Sequence, residues 1–254
     1  MKNNDQLLNA GRTNLETGRK ISRSKVDLRL SIHEDLKKLK DPWLNKNIPD
    51  YQHPFVEQSI NESRKKISNK NFSTFIKAIE KLKISNLEER KLLEIGCSSG
   101  YYSQILRFAQ LNINYSGCDI SKHFIDRARE IYPEHTFDIE DTTRLTYEDN
   151  SYDVVVSGCC LQHILDYEVA ISETARVSSE YVIFHRTPLI NSKKNKYYIK
   201  NAYNVKMPEI HFSKKKFYDA LSDCRLRVLF SLRISSIFAI YSGVSFKTIV
   251  CEKT

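Results

Sequence analysis

Leu92-Leu93-Glu94-Ile95-Gly96-Cys97-Ser98-Ser99-Gly100 decides the fold. An apolar run ends in an acid and a glycine, and a second glycine four residues later opens an amphipathic stretch, which is how a buried strand turns sharply into a helix. Gly96 lets the chain turn with a ligand against bare backbone, and Gly100 lets the helix start approach closely. The pattern E-x-G-x-x-x-G lacks the middle glycine of the dinucleotide fingerprint G-x-G-x-x-G. The Glu94 carboxylate stands where a pyrophosphate would be repelled and a cationic amino-acid cofactor would be welcome.

The spacing predicts a helix from Tyr101 to Leu111 and then a second apolar strand, Ile113 to Cys118, that ends in Asp119, 25 residues after Glu94. That separation suits a carboxylate at the tip of the neighbouring strand, placed to accept hydrogen bonds from ribose hydroxyls. A third strand, Thr136 to Ile139, leads to Asp141-Thr142, and a fourth, Tyr152 to Ser157, ends at Gly158. Acids and small polar residues at successive tips line one crevice along the carboxyl edge of a parallel sheet.

On these motifs the chain resembles the class I S-adenosylmethionine-dependent methyltransferases, in particular the small-molecule branch; His185-Arg186-Thr187-Pro188 and the Lys- and Tyr-rich stretch after it look like the bacterial members that decorate surface polysaccharides. The resemblance rests on LLEIGCSSGYYSQIL, GCDISKHFIDRARE, DTTRLTYEDNSYDVVVSGCCLQHI and the helix ending SETARV, roughly Lys91 to Arg186. It implies an α/β, Rossmann-like, seven-stranded, mostly parallel sheet with helices on both faces. It further implies an N-terminal extension and helical lid over residues 1–90, and a methyltransferase domain over 91–254 with a substrate-pocket insertion at about 187–212. The cofactor would be S-adenosylmethionine: Glu94, Gly96, Cys97 and Gly100 around its methionine part, Asp119 on the ribose, Ile120 beside the adenine and Asp141 at the adenine amino group, with Ser98, Thr142 and Ser157 also in the cofactor site. Ser98 replaces a common middle glycine, and Val177-Ser178-Ser179-Glu180 stands where a Pro-Gly-Gly turn often precedes the fifth strand.

A chain of 254 residues holds one α/β domain plus an elaboration. No apolar run reaches the ~18 residues of a spanning helix and Met1 to Lys20 is too polar for a secretory signal, so the expected location is cytoplasmic, with no membrane partner. The six cysteines form no C-x-x-C pair and read as small core residues. Charge is segregated. Residues 1–91 carry 20 basic and 12 acidic side chains, net +8; residues 92–178 carry 6 and 14, net −8; residues 179–254 carry 14 and 5, net +9. A cationic cofactor belongs with the acidic segment, and the basic flanks would draw an anionic small molecule, including a nucleotide-linked one. Nucleic acid is not an expected partner, because no recognisable RNA-binding appendage is present.

Before the first strand, Met1 to about Lys25 lacks periodicity, a short helix is expected over Ile32 to Lys40, and Asp41-Pro42-Trp43 and Ile48-Pro49-Asp50-Tyr51 read as loop. Phe72 to Leu82 has helical spacing, and Trp43, Tyr51 and Gln52 are lid candidates. After a fifth strand at Tyr181 to Phe184, His185-Arg186-Thr187-Pro188 would face the crevice. The Lys- and Tyr-rich stretch from Leu189 to Ile210 is too long for an ordinary connection and reads as pocket-forming. Ser213 would cap a helix to about Leu221, and Leu226 to Ile234 would pair with Val244 to Cys251 around Gly243.

Methyl transfer from a sulfonium is an in-line displacement in which positioning does most of the catalysis. If the acceptor is a hydroxyl, its proton needs a base, and His163 and His185 are the catalytic candidates, with His211 behind them. If it is an already anionic phosphate or phosphoramidate oxygen, no base is needed. Arg186, Lys200, Tyr203 and His211 are the substrate-binding candidates, and transfer to an oxygen of a nucleotide-activated sugar or nucleotide-linked phosphoramidate is the leading expectation. An RNA methyltransferase, or a catalytically silent cofactor-binding scaffold, are the alternatives. His163, His185, Glu209 and His211 do not match a recognised metal-binding spacing, so no metal is expected.

Overall fold

The computed structural model describes residue 36 and residues 42–64, 67–234 and 243–254. Except for Leu36, the readings for Met1 to Lys25 and Ile32 to Lys40 lie outside the described residues.

Two helices precede the sheet: α1 (Ile48–Ser63) and α2 (Lys70–Leu82). Strands and helices then alternate as β1 (Lys91–Ile95), α3 (Tyr101–Phe108), β2 (Asn114–Asp119), α4 (Lys122–Ile131), β3 (Thr136–Ile139), β4 (Tyr152–Gly158), α5 (Tyr167–Val177) and β5 (Ser178–Ile190). A hairpin of β6 (Lys196–Ala202) and β7 (Val205–Ser213) follows, then α6 (Lys214–Asp223), β8 (Leu226–Ile234) and β9 (Val244–Lys253). The main sheet runs β3-β2-β1-β4-β5-β9-β8, with β9 antiparallel between β5 and β8. This is the expected seven-stranded layout; the hairpin brings the total to nine strands, because the end of β5 continues beside β7 at Leu189–Phe212 and Ile190–Ser213.

Alternation along the strands builds two cores. Leu92, Val154, Val156, Ile183 and Val250 face α2 and α3, where Phe75, Ile79, Tyr102 and Ile105 are buried. On the other face Val182, Phe184 and Ile249 pack with α5 and α6 through Ile171, Phe217 and Leu221, and Leu93, Ile95 and Val155 form a smaller cluster beneath β1 and β4. Such strands are apolar on both faces because helices cover both.

Three expectations need correction. Ile48-Pro49-Asp50-Tyr51 is the first turn of α1, not a loop; Pro49 fits there because the N–H it lacks would have no helical partner. Helix α1 lies against α3 and α4, and an Asp50–Arg127 ion pair ties it to α4. Strand β5 does not stop at Phe184 but runs to Ile190, since β9 pairs along it as far as Ile190–Val244. The insertion therefore starts after Ile190, and it is a hairpin whose turn, Tyr203-Asn204, has φ of 50° and 58°. Two left-handed residues suit the right-handed twist of paired strands, and the turn escapes sequence reading because it contains no glycine.

Gly100 precedes α3 at φ +72°, and a Cβ there would lie 2.6 Å from the Phe137 ring. Gly100→Ala is expected to cost about 1–3 kcal/mol, measured by denaturant unfolding, with part of the loss recovered in the Gly100→Ala/Phe137→Leu double variant. Equal losses in the single and double variants would contradict the ring contact.

Candidate functional site

The turn after β1 is held by its own backbone: the Cys97 N–H donates to the Cys118 carbonyl at 2.9 Å and the Gly100 N–H to the Cys97 carbonyl at 3.0 Å. Gly96 and Ser98 are both left-handed, at φ +65° and +54°, so the serine that replaces the usual middle glycine adopts the backbone of a glycine. Its N–H donates to Asp119 Oδ2 at 3.0 Å while the Ser121 N–H donates to Oδ1 at 2.9 Å, so Asp119 spans the turns after β1 and β2. The Ser98 hydroxyl donates to Gln52 Oε1 at 2.5 Å, which brings α1 down onto the turn.

Glu94 is buried and accepts from the Tyr115 hydroxyl at 2.5 Å. Burial pushes its carboxyl up to about 8; the Tyr115 hydrogen bond opposes this and the Asp119 charge adds to it. Its Oε1 lies 2.8 Å from where a Cβ on Gly158 would stand, at the tip of β4. Cys97 is fully buried, Ile120 half-buried, and Thr142 and Ser157 buried, with the Ser157 Oγ unpartnered. Asp141 is exposed and is turned onto Thr143, whose N–H and hydroxyl donate to Oδ1 at 2.9 and 2.7 Å.

The second half of the site stands at the tips of β4 and β5. The β5–β9 register shifts between Phe184 and Thr187, and Arg186 sits in that irregularity at φ +60° beside Cys159 at φ +68°. Bulges of this kind re-aim a side chain. The Arg186 guanidinium is buried within electrostatic reach of Cys159, Tyr102, Tyr101 and Tyr203. No carboxylate forms an ion pair with it among the described residues. Tyr101, Tyr102 and Cys159 were not singled out by sequence reading; the pair of tyrosines directly after Gly100 is the feature that could have found them.

Above Arg186 lies a roof. The Trp43 ring meets His163 edge-on at 5.2 Å and approaches Tyr203 and Phe124 at 6.4 Å each. Of the lid candidates, Trp43 and Gln52 close on the site and Tyr51 is exposed. His163 Nδ1 bonds the Pro208 carbonyl at 2.7 Å, and burial, with Lys200 adding, drives its pKa down to about 4. Lys200 is within 3.1 Å of Glu209 Oε2, and His211 Nε2 is 3.0 Å from Glu209 Oε1. Hence His163, Arg186, Lys200, Tyr203 and His211 come together.

His185 does not join them. It is 1 % exposed, bonded through Nδ1 to Thr248 Oγ1 at 2.8 Å, with its ring against Phe75 and Tyr102. Burial, reinforced by Arg186, holds its pKa well below the ordinary imidazole value. The expectation that it faces the crevice fails because β5 continues past it as a paired strand, which turns its ring to the α2 side. Lys200 is likewise already matched by an acid. Among the described residues no three His, Cys, Asp or Glu side chains are gathered to hold a metal ion, and no helix is long and apolar enough to cross a membrane.

Residues 93–182 match the family model of a methyltransferase domain. Over 90 residues the chain is 28% identical to a malonyl-[acyl-carrier protein] O-methyltransferase of Erwinia billingiae (strain Eb661), spanning 35% of this chain and 35% of that protein. The chain thus spans about a third of the length of that curated relative. A SAM-dependent methyltransferase from Methanosarcina mazei superposes with TM-score 0.55 at 18% identity, over 69% of this chain and 96% of that one. The magnesium protoporphyrin IX methyltransferase of Synechocystis PCC 6803 gives 0.53 at 15% identity, over 72% and 82%. A Burkholderia thailandensis 1,6-didemethyltoxoflavin-N1-methyltransferase gives 0.55 at 11% identity, over 96% and 100%. The fold is the Rossmann-like fold shared with these methyltransferase structures.

Glu94 has a pKa of about 8 in the folded chain against 4.5 ordinarily. Folding therefore favours its protonated form, and this contribution is complete below about pH 4.5 and lost as pH rises through about 8. Glu94→Gln cannot ionise, so its stability relative to the parent is expected to rise between pH 5 and pH 8 in urea unfolding. Parallel pH profiles for the two proteins would show that Glu94 is not held protonated.

Proposed function

We propose that this chain is an S-adenosylmethionine-dependent methyltransferase whose acceptor is a small anionic molecule. The observation that carries the reading is two buried groups of opposite kind within electrostatic reach of the same Tyr101 and Tyr102: the Glu94 carboxyl, hydrogen-bonded to Tyr115 and pushed up by burial to about 8, and the Arg186 guanidinium, which forms no ion pair with a carboxylate among the described residues. A buried carboxyl kept neutral for want of a cation fits an amino-acid sulfonium and disfavours a pyrophosphate. The turn through Gly96 and Ser98 and the Asp119 carboxylate that closes it fit the remainder of that cofactor. Once bound, S-adenosylmethionine supplies an electrophilic methyl group.

The chain's own residues do the rest. Glu94 matches the cationic part, and Asp119 is positioned for ribose hydroxyls. Arg186, with Tyr101 and Tyr203, holds the acceptor's anionic group, since a guanidinium is well shaped for oxyanions. Trp43, His163 and Tyr203 exclude water above the reacting centre. His163 donates to a backbone carbonyl and is a weak base, and His185 is sealed in the core; both serve packing rather than proton transfer. The O-methyltransferase name of the aligned relative supports oxygen as the atom methylated. A nucleotide-activated sugar or nucleotide-linked phosphoramidate of surface-polysaccharide synthesis, methylated in the cytoplasm, is the acceptor class favoured by Arg186 and the basic flanks.

Incubating the protein with methyl-labelled S-adenosylmethionine and a small-molecule extract is expected to place label on an anionic, nucleotide-linked species, detected by mass spectrometry. Label confined to RNA would establish the RNA reading, and tight cofactor binding without label on any molecule the silent scaffold. Asp119→Ala is expected to weaken cofactor binding roughly 10- to 100-fold, as loss of a charged acceptor does; unchanged affinity in calorimetry would remove Asp119 from the site. Arg186→Ala is expected to raise the KM of the labelled species by a similar factor with cofactor affinity unchanged. Weakened cofactor binding in that variant would instead assign Arg186 to the cofactor's own carboxylate.

A further inference from the structure

Glu209 and His211 stand two residues apart on β7, on the same face of the hairpin. One Glu209 oxygen is bonded to His211 Nε2 and the other meets Lys200 Nζ. The His211 ring is 3 % exposed and packs on Tyr198 at 4.7 Å between centroids. Its Nδ1 is buried and has no hydrogen-bond partner. An ionised carboxylate can only accept, so Nε2 carries the proton, and in the neutral ring Nδ1 holds a bare lone pair. A buried acceptor with no donor is a cost that a bound O–H or N–H removes.

The dyad adjoins His163. Pro208, next to Glu209, accepts from His163, and the His163 ring feels the charges of Lys200, Glu209 and Arg186 together. Strand β7 pairs with the end of β5 at Leu189–Phe212 and Ile190–Ser213, so His211 directly precedes the first paired residue of β7, whose partner is three residues beyond Arg186. Neither His163 nor His185 has a carboxylate partner, whereas His211 has the arrangement of a base oriented by an acid.

We propose that His211 Nδ1 takes the proton of the acceptor's nucleophile and that Glu209 is its positioning residue, so that the acceptor bears an O–H or N–H nucleophile as well as the anionic group held by Arg186. This rests on the methyltransferase reading. As the nucleophile's electron pair bonds to the methyl carbon, the carbon–sulfur pair stays with sulfur. The nucleophile's proton passes to Nδ1 and leaves an imidazolium beside the Glu209 carboxylate. Lys200 holds the second Glu209 oxygen and so fixes the plane of the dyad.

The full chain labelled with ¹⁵N-histidine, with His211→Asn to assign the ring, tests the geometry without turnover. Its His211 signal is expected to be the Nε2–H tautomer, and Glu209→Gln is expected to shift it. With methyl-labelled S-adenosylmethionine and the anionic fraction of a small-molecule extract, His211→Asn is expected to lower kcat about 10²- to 10⁴-fold, leaving the cofactor KM unchanged. Glu209→Gln is expected to fall between that variant and the parent. An Nδ1–H ring, or label transfer undiminished in His211→Asn, overturns the base assignment alone. A parent chain that transfers no label to any acceptor refutes the methyltransferase reading, and the base assignment with it.

Discussion

Glu94 lies in the middle of a parallel sheet, under a turn made of backbone, with the Tyr115 hydroxyl as its donor. It is buried from water, and the Asp119 charge adds to the penalty for ionising. A carboxyl so placed keeps its proton at neutral pH until a positive charge enters beside it. The rest of the site is organised around that condition. The turn needs two left-handed residues, Gly96 and Ser98, to lie over the acid, and Asp119 needs the N–H groups of that turn and of Ser121 to stay where it is.

The cleft has an opposite pole. At the tips of β4 and β5 the chain adopts left-handed backbone at Cys159 and Arg186, conformations that side-chain-bearing residues hold only where surrounding structure fixes them. Here pairing with β9 on one side and the Cys159 N–H to His185 carbonyl bond on the other do so. The guanidinium so placed forms no ion pair with an acid among the described residues. Glu94 and Arg186 thus lie within electrostatic reach of the same two tyrosines, Tyr101 and Tyr102. The same polarity is visible along the chain, where the acidic segment 92–178 lies between basic flanks.

How much of this was legible in the sequence depends on how local its cause is. Strand Thr136 to Ile139, the acids at the strand tips and the helix over Phe72 to Leu82 follow from periodicity within a few residues, and they appear with at most small boundary changes. The first turn of α1 was misread because proline is a breaker everywhere except in that turn. The length of β5 and the sealing of His185 depend on β9, some sixty residues later, which no local pattern reveals. The hairpin turn lacks the glycine that would have announced it, and the left-handed Ser98 shows a serine filling a glycine's role. Arg186 was legible as a charged residue near the edge; its want of an acid was not, because that is a property of everything packed around it.

The central claim, that a positive charge entering the cleft ionises Glu94, is open to direct measurement. Calorimetric titration of the protein with S-adenosylmethionine at pH 7, in two buffers of different ionisation enthalpy, reports the protons exchanged on binding. A carboxyl with a pKa of about 8 whose pKa falls when a cation binds beside it gives its proton to the buffer, which predicts release of nearly one proton. Binding heats that are the same in both buffers, or no binding at all, would contradict it.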